Sequence, residues 1–236
     1  MRKADLNKNI HLSEGNIKSK CTDNVLFLTW SLPSRKTCPY ATDLCKHKCF
    51  AKKNETFGCV RLSRERNFEE STKESFVQDM IEHLKYQLSR PKAKDKVIYV
   101  RIHTSGDFFN LDYLIKWACI AEHFKGNDKI LFQAYTKSMP IIVSYINQYI
   151  NSYGDEFSPK EIIEGINIHF VWSVWDDTPK EYTKIAEDLG LQIFVAAPKD
   201  KIDEKVNEGH FLCNGDCGNC KECYTGASSK IVIQYH

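Results

Sequence analysis

The sequence lacks any apolar run approaching the about 20 residues that would cross a bilayer. It also lacks an excess of charge of one sign, because 33 Lys and Arg residues nearly balance 31 Asp and Glu residues and leave a net charge of +2. This balance excludes a broad basic field for nonspecific nucleic-acid binding, while leaving room for a local basic groove. Internal repeats and low-complexity tracts are missing too, and 42% hydrophobic residues are enough for a normal core.

The polar segment 1–20 has no apolar centre, so we expect no secretory signal and a cytoplasmic protein. The reducing cytosol disfavours disulfides. Ten cysteines among 236 residues therefore indicate metal binding or thiol chemistry wherever they cluster.

Five short apolar runs, rich in Val, Ile and Phe, predict strands. They are Val25–Trp30, Val97–His103, Ile130–Thr136, Ile166–Trp172 and Leu191–Ala196. A sixth run, Ile231–Tyr235, is expected at a sheet edge. Because the runs are not cleanly alternating and helical patterns separate most of them, they favour an α/β fold with a parallel sheet covered on both faces. We expect this sheet to close into a partial or complete βα barrel over residues 1–200, followed by a cysteine-rich, metal-binding C-terminal segment over residues 201–236.

Capping signals mark several helix boundaries. The segment 178–181, Thr-Pro-Lys-Glu, predicts a capping box, and Ser158 begins a similar signal. Asn110 is the expected cap of another helix. Residues 61–89 predict a long helical stretch with a break near Ser71.

The first cysteine group follows the first predicted strand and consists of Cys38, Cys45 and Cys49. Three thiolates can hold three irons of a four-iron cluster and leave the fourth iron open to a substrate or cofactor. Cys59 is a candidate fourth ligand. Ordinary loop thiols are the alternative, but three cysteines within a polar loop of twelve residues favour a metal.

The second cysteine group has the spacing C-x3-C-x2-C-x2-C. Its members are Cys213, Cys217, Cys220 and Cys223. Four thiols in so short a run suit a tetrathiolate site for either iron–sulfur or zinc. The compact run is more typical of a ferredoxin than of a zinc finger, which uses two distant pairs. Ligands from both groups could also share one centre, whereas Cys21 and Cys119 are expected to be structural.

Polar side chains just after the predicted strands are further candidates, since active sites of βα folds lie at the carboxyl ends of their strands. The catalytic candidates are His103, Asp107 and Lys137. The cofactor-binding candidates are Ser105, Gly106, Asp107, Thr136 and Ser173. Each has a structural alternative: a hydrogen-bonded histidine, a helix-capping aspartate and surface lysine.

Several segments resemble the phage and prophage family called gene product eighty-eight. They include Thr37–Thr42, Arg64–Asn67, Val100–Phe109 and Ala134–Ser138. The resemblance covers nearly the whole chain, including the terminal cysteine run. It implies an origin in a mobile element and no particular activity.

More distantly, the chain is similar to radical S-adenosylmethionine enzymes, whose partial βα barrel places a three-cysteine loop directly after the first strand. This resemblance implies that Cys38, Cys45 and Cys49 bind a 4Fe-4S cluster and that Asp107 contacts the S-adenosylmethionine cofactor. It also implies an auxiliary cluster at the C-terminal cysteines and an electron donor as partner. The loop is longer here than the usual C-x3-C-x2-C, and an aspartate stands in place of the usual glutamate.

Two hypotheses follow. The first is an iron–sulfur enzyme with a divergent radical S-adenosylmethionine architecture, whose substrate would be a nucleotide or nucleic acid on the phage context alone. The second is a non-enzymatic module, stabilised by zinc or a cluster, that binds nucleic acid or another protein. The oligomeric state is not readable from the sequence.

Overall fold

A computed structural model describes residues 6–16 and 19–235, so the first five residues of the polar N-terminal segment lie outside it. The strands are β1 (Ser13–Glu14), β2 (Val25–Ser31), β3 (Val97–Ser105), β4 (Ile130–Thr136), β5 (His169–Val174), β6 (Gln192–Ala197), β7 (Phe211–Leu212) and β8 (Lys230–Gln234). The first seven α-helices are α1 (Asp43–His47), α2 (Phe50–Asn54), α3 (Gly58–Thr72), α4 (Phe76–Ser89), α5 (Leu111–His123), α6 (Met139–Tyr153) and α7 (Pro159–Gly165). The others are α8 (Lys180–Asp188), α9 (Ile202–Asn207), α10 (Cys217–Cys220) and α11 (Glu222–Thr225). Among the described helices, none has the length and apolarity needed to span a membrane.

The described strands form one sheet in the order β1-β2-β3-β4-β5-β6-β8-β7. Only β1 is antiparallel to its neighbour, and all other neighbouring pairs are parallel. The mainly parallel α/β fold is thus confirmed. The sheet is not closed, because β1 and β7 remain as its two edges in the described part of the chain. The prediction of a complete barrel is therefore wrong.

Consecutive parallel strands are neighbours from β2 to β6. Right-handed crossovers between such strands place the connecting helices on one face of the sheet. The main core lies on that face, where Leu28 and Trp30 of β2 pack with Phe76 and Met80 of α4. Burial of these apolar side chains, worth about 1.5–3 kcal/mol each, holds the helices on the sheet.

The opposite face of the sheet carries a smaller and more polar set of side chains. Phe27 of β2 and Tyr99 of β3 pack there with Tyr224 of α11. Tyr99 and Tyr224 stack with ring centroids 4.4 Å apart. We call this the tail face, since the C-terminal segment covers it. Because alternate strand residues share a face, Arg101 lies on the tail face with Tyr99, and its register partner Gln133 lies beside it.

Two predicted strands differ from the observed ones. The run Ile166–Trp172 begins too early, because a turn in which the Ile168 amide donates to the Ile166 carbonyl precedes β5. Ile166 and Ile168 are apolar because they are buried in the core, not because they extend a strand. The run predicted at a sheet edge is the internal strand β8, since the two-residue strand β7 pairs beyond it.

The capping predictions were mostly confirmed. Asn110 caps α5, and Ser158 forms the full capping box of α7. The long stretch 61–89 divides into α3 and α4 at Lys73, close to the predicted break. The capping box at 178–181 is wrong, because the Thr178 hydroxyl instead accepts a hydrogen bond from the Trp175 amide at 2.8 Å.

Candidate functional site

Asp107 joins three strand ends at the carboxyl edge of the sheet. Its buried carboxylate accepts hydrogen bonds from the Thr136 hydroxyl at 2.7 Å, the Lys137 amide at 2.8 Å and the Phe108 amide at 2.7 Å. Its own amide donates to the Thr37 carbonyl at 3.0 Å. Burial raises the pKa of Asp107, although these hydrogen bonds act in the opposite direction. Asp107 therefore fixes the loop after β2 to the ends of β3 and β4.

Gly106 permits the close approach of that loop. Its φ is +89°, and a Cβ atom there would lie 2.7 Å from both the Leu32 Cβ and the Thr37 Oγ1. The Leu32 amide also donates to the Ser105 carbonyl at 2.8 Å. The sequence Ser105-Gly106 thus serves backbone packing, which explains a glycine at this position without a ligand.

The first cysteine group lies on the loop that Asp107 holds. Cys45 is in α1, whose N-cap Thr42 accepts a hydrogen bond from the Cys45 amide, and Cys49 is the N-cap of α2. Burial raises the pKa of Cys38 to about 12, and the negative charge of Asp107 adds to this effect. Burial also raises the pKa of Cys45, opposed by the nearby Lys137 ammonium.

The three thiols of this group are close enough to influence one another electrostatically, since Cys45 and Cys49 both add to the raised pKa of Cys38. No three Cys, His, Asp or Glu side chains among residues 6–16 and 19–235 converge as metal ligands do. Thiols with a raised pKa become thiolates when a cation supplies the missing positive charge. The three thiols therefore lie near one another, but the described side chains do not form a preformed metal site.

A cavity of about 340 Å³ adjoins the first cysteine group. Its lining residues are Tyr40, Ala41, Thr42, Asp43, Lys137, Trp172, Asp177, Thr178, Pro179 and Tyr182. The Asp177 carboxylate accepts a hydrogen bond from the Leu44 amide at 2.7 Å and so ties the cysteine loop to the end of β5. The volume lies within the range of about 300–1,000 Å³ that is usual for small-molecule sites.

Lys137 lines this cavity, whereas the buried Ser173 does not. The Lys137 ammonium donates to the Ser173 hydroxyl at 2.7 Å and lies 5.6 Å from the centroid of the Trp175 ring. Thr136 is buried, with its hydroxyl accepting from the Ser138 amide and donating to Asp107. Lys137 is thus the sequence-predicted residue placed best to meet an anionic ligand.

His103 lies away from the cysteine loop, in the aromatic core. Its backbone has a φ of +69° at an irregularity in the β2–β3 pairing. The Nε2 atom is 3.0 Å from the Tyr113 hydroxyl, and the ring meets Phe108 edge to face. Burial lowers the pKa of His103 to about 3, so the ring stays neutral in the folded protein near neutral pH. These contacts favour a structural role.

The second cysteine group surrounds a small cavity on the tail face. Cys217 and Cys220 begin and end α10, Cys223 is in α11, and Cys213 follows β7. All four line a cavity of about 30 Å³. The left-handed Lys221, with a φ of +62°, separates the two short helices. Burial raises the pKa of Cys223 to about 12, while a hydrogen bond with Tyr135 opposes this shift.

Charged and polar side chains line this small cavity together with the cysteines. The Arg101 guanidinium lies 4.7 Å from the centroid of the Tyr135 ring. In the described part of the chain Arg101 forms no ion pair, and its buried Nε atom and both amide atoms of Gln133 have no hydrogen-bond partner. Burial opposes the charge of Arg101, but the nearby phenol and thiol groups raise its pKa. Glu222 lines the same cavity, and its buried Oε2 atom also lacks a hydrogen-bond partner, so the cavity holds unpartnered atoms of both charges among the described residues.

The two cysteine groups have different surroundings. Asp107 and Lys137 lie near the first group, whereas Arg101 and Tyr135 lie near the second. The two cavities have no lining residue in common. None of the ten cysteines, all of which lie in the described ranges, forms a disulfide. Cys59, the candidate fourth ligand, is exposed on α3.

Comparison with known proteins identifies the family. A family model described as gene product 88 matches residues 4–226. The chain belongs to the gene product 88 family. No curated protein and no solved structure matches it.

For this member of the gene product 88 family, sequence reasoning missed two kinds of site residue. Arg101 and Gln133 lie inside strands and look like ordinary strand positions until the C-terminal segment covers them. Tyr182 lies in the first turn of α8, and its side chain lines the larger cavity. A charged residue within an otherwise apolar strand, as at Arg101, was the one signal available.

Proposed function

We propose that this gene product 88 protein is an iron–sulfur enzyme of phage origin with a divergent radical S-adenosylmethionine-like architecture. One observation carries the proposal. Cys38, Cys45 and Cys49 follow the first parallel strand and lie with Asp107 and Lys137 beside a cavity of small-molecule size. Three thiolates would hold a 4Fe-4S cluster and leave one iron without a protein ligand.

The strand order supports this proposal. Parallel strands that are neighbours in both sequence and space, with helices on one face, build an open βα sheet of the kind found in partial barrels. We propose that the open sheet is such a partial barrel. Its carboxyl edge is where βα enzymes place their chemistry, and the first cysteine group lies at that edge.

The residues around the larger cavity would bind and orient the cofactor. Lys137 would meet a carboxylate, and the partly exposed Tyr182 offers flat apolar surface to an adenine ring. Asp107 already accepts three protein hydrogen bonds, which leaves capacity for about one more donor. A reduced cluster held by these cysteines would supply one electron to S-adenosylmethionine, so an electron-donor protein would be a partner.

The C-terminal cysteines would hold a second centre, with Arg101 as its counter-charge. Four thiolates around one compact cavity suit iron–sulfur, and zinc is the alternative metal. Ten cysteines without a disulfide suit the reducing cytosol, so we propose a cytoplasmic location.

Anaerobic purification followed by iron, sulfide and zinc analysis tests the proposal. Two clusters' worth of iron and sulfide, with a broad absorption near ~400 nm typical of thiolate-bound iron, would support it. The matched variants are Cys45→Ser in the first group and the exposed Cys119→Ser as control. Cys45→Ser should lose the iron of the first centre, about half of the total, together with S-adenosylmethionine binding, and Cys119→Ser should keep both.

Two results would reject the proposal, one in part and one as a whole. If the protein contains iron but neither binds nor cleaves S-adenosylmethionine, the radical S-adenosylmethionine part of the proposal is rejected and only an iron–sulfur protein remains. A colourless protein containing zinc and no iron would instead favour the alternative, a non-enzymatic module that binds nucleic acid or another protein.

A further inference from the structure

The segment that carries the first cysteine group is strongly basic. Residues 35–66 contain nine Lys and Arg residues and three Asp and Glu residues, a net charge of +6, in a chain whose net charge is only +2. The charge of this protein is therefore concentrated on the short helices α1 and α2 and the first half of α3.

Local ion pairs leave much of that charge free. Glu55 pairs with the buried Arg64 and with Lys52, and the other two acidic residues of the segment pair with lysines. Within the described ranges, Lys53, Arg61 and Arg66 form no ion pair, and all three are exposed. They present positive charge to solvent.

Exposed aromatic side chains alternate with these cations along the chain. Phe50 is 59% exposed, Phe57 is 63% exposed and Tyr40 is 40% exposed. Phe57 caps the N-terminus of α3, and its carbonyl accepts a hydrogen bond from the Arg61 amide at 3.1 Å. Exposing large aromatic rings to water costs free energy, so their place among unpaired cations indicates a ligand with both flat apolar surfaces and negative charge.

We propose that residues 35–66 form a binding surface for single-stranded nucleic acid. Lys53, Arg61 and Arg66 would contact phosphates, and Phe50 and Phe57 would stack on unpaired bases. Bases in a duplex have no free faces for such stacking, which selects a single strand. This surface adjoins the larger cavity through Tyr40, which lines the cavity wall.

Other occupants fit the same surface less well. Protein interfaces are depleted in lysine at their centres, whereas lysines separate the aromatic residues here. A membrane-surface helix needs a long continuous apolar face, and α1 and α2 have only five residues each. An acidic protein and an anionic vesicle are therefore controls in the test.

The test is a titration of a fluorescein-labelled 20-nucleotide single strand, as DNA and as RNA, followed by anisotropy at several salt concentrations. Two variants separate the two parts of the surface. The pair Phe50→Ala/Phe57→Ala should weaken binding roughly tenfold or more with an unchanged salt slope. The triple Lys53→Gln/Arg61→Gln/Arg66→Gln should reduce the slope of log K against log salt by about 2.

Matched controls come from exposed residues elsewhere. The pair Tyr153→Ala/Phe157→Ala removes aromatic rings that are 73% and 49% exposed on another part of the surface, and it should leave binding unchanged. All variants should keep the urea-unfolding midpoint of the parent protein, which shows that their folds are intact and keeps this test independent of the metal centres.

Three outcomes would overturn the proposal. The first is that the parent protein binds neither strand at low salt. The second is that Phe50→Ala/Phe57→Ala binds the strands as tightly as the parent does. The third is that polyglutamate or phosphatidylserine vesicles bind the parent as tightly as the strands do. The last result would mean a general anion-binding surface rather than a nucleic-acid site.

Discussion

The two cysteine groups differ in what holds them in place. The first group lies on a loop that packs against Gly106 and is hydrogen-bonded to the Asp107 amide through the Thr37 carbonyl. These contacts form without any ligand. The second group surrounds a small cavity where Arg101 and Gln133 keep unpartnered polar atoms in the described structure. The first group is thus positioned by completed contacts of the fold, whereas polar atoms around the second group remain without partners in the described structure. The predictions below test this difference.

The largest effect is expected from a C-terminal ligand. If the proposed second centre is present, Cys220→Ser should remove it and destabilise the protein by more than about 3 kcal/mol, because helices of only four residues would depend on the metal to stay folded. Cys45→Ser should remove the first centre with a smaller loss of stability. Metal content and urea unfolding measure both, and equal losses of stability would contradict the distinction.

Whether Arg101→Met raises or lowers the free energy of unfolding depends on whether a metal is bound by the C-terminal cysteines. With a tetrathiolate centre present, removing the counter-charge should destabilise the protein by about 3 kcal/mol and release metal. If the cysteines stay thiols, removing an unpaired buried cation should stabilise the protein instead. Unfolding of Arg101→Met and the charge-conserving Arg101→Lys, together with metal analysis, decides between the two.

Acid should weaken the region beneath the carboxyl edge through His103. Its folded pKa of about 3 lies below the ordinary value of 6.5, so between these pH values His103 binds a proton in the unfolded chain but not in the folded protein. Stability from this group is complete above about pH 6.5 and falls as the pH drops toward 3, by about 1.4 kcal/mol per unit.

The matched variant is His103→Gln, which has no ionisable group. The free energy of unfolding of the parent should fall more steeply between pH 7 and pH 5 than that of His103→Gln. Parallel curves for the two proteins would show that His103 is not the acid-sensitive group.

Replacing either of two glycines by alanine should affect one cysteine group and not the other. In Gly106→Ala the new Cβ would meet Leu32 and Thr37, and the φ of +89° adds strain. In Gly218→Ala it would lie 2.8 Å from the Lys20 carbonyl. Each should cost about 1–3 kcal/mol.

Gly106→Ala should impair metal retention at the first group and Gly218→Ala at the second. The control is Gly58→Ala, where the added Cβ meets nothing within 4 Å and stability should be unchanged or slightly raised. Loss of both centres in either variant would argue for one shared centre.

The smallest effect is expected at Cys59. This side chain is exposed on α3, so Cys59→Ala should keep the iron content and stability of the parent within about 0.5 kcal/mol. Loss of iron would make Cys59 a ligand and require α3 to move toward the loop.

The sequence by itself determined the α/β class, the strands β2 to β6 and the helix caps at Asn110 and Ser158. These follow from local patterns, because apolar runs and capping side chains act over a few residues. The clustering of cysteines was also readable, since their spacing is a property of the chain.

Only the tertiary structure decided which side chains surround each group. The partnership of Asp107 with Thr136 joins residues 29 positions apart, and Arg101 meets the C-terminal cysteines only because the tail covers one sheet face. The same holds for His103, which a strand-end position made a catalytic candidate and the fold buries against Tyr113. Long-range packing, not local propensity, sets these contacts, so no window of sequence could have shown them.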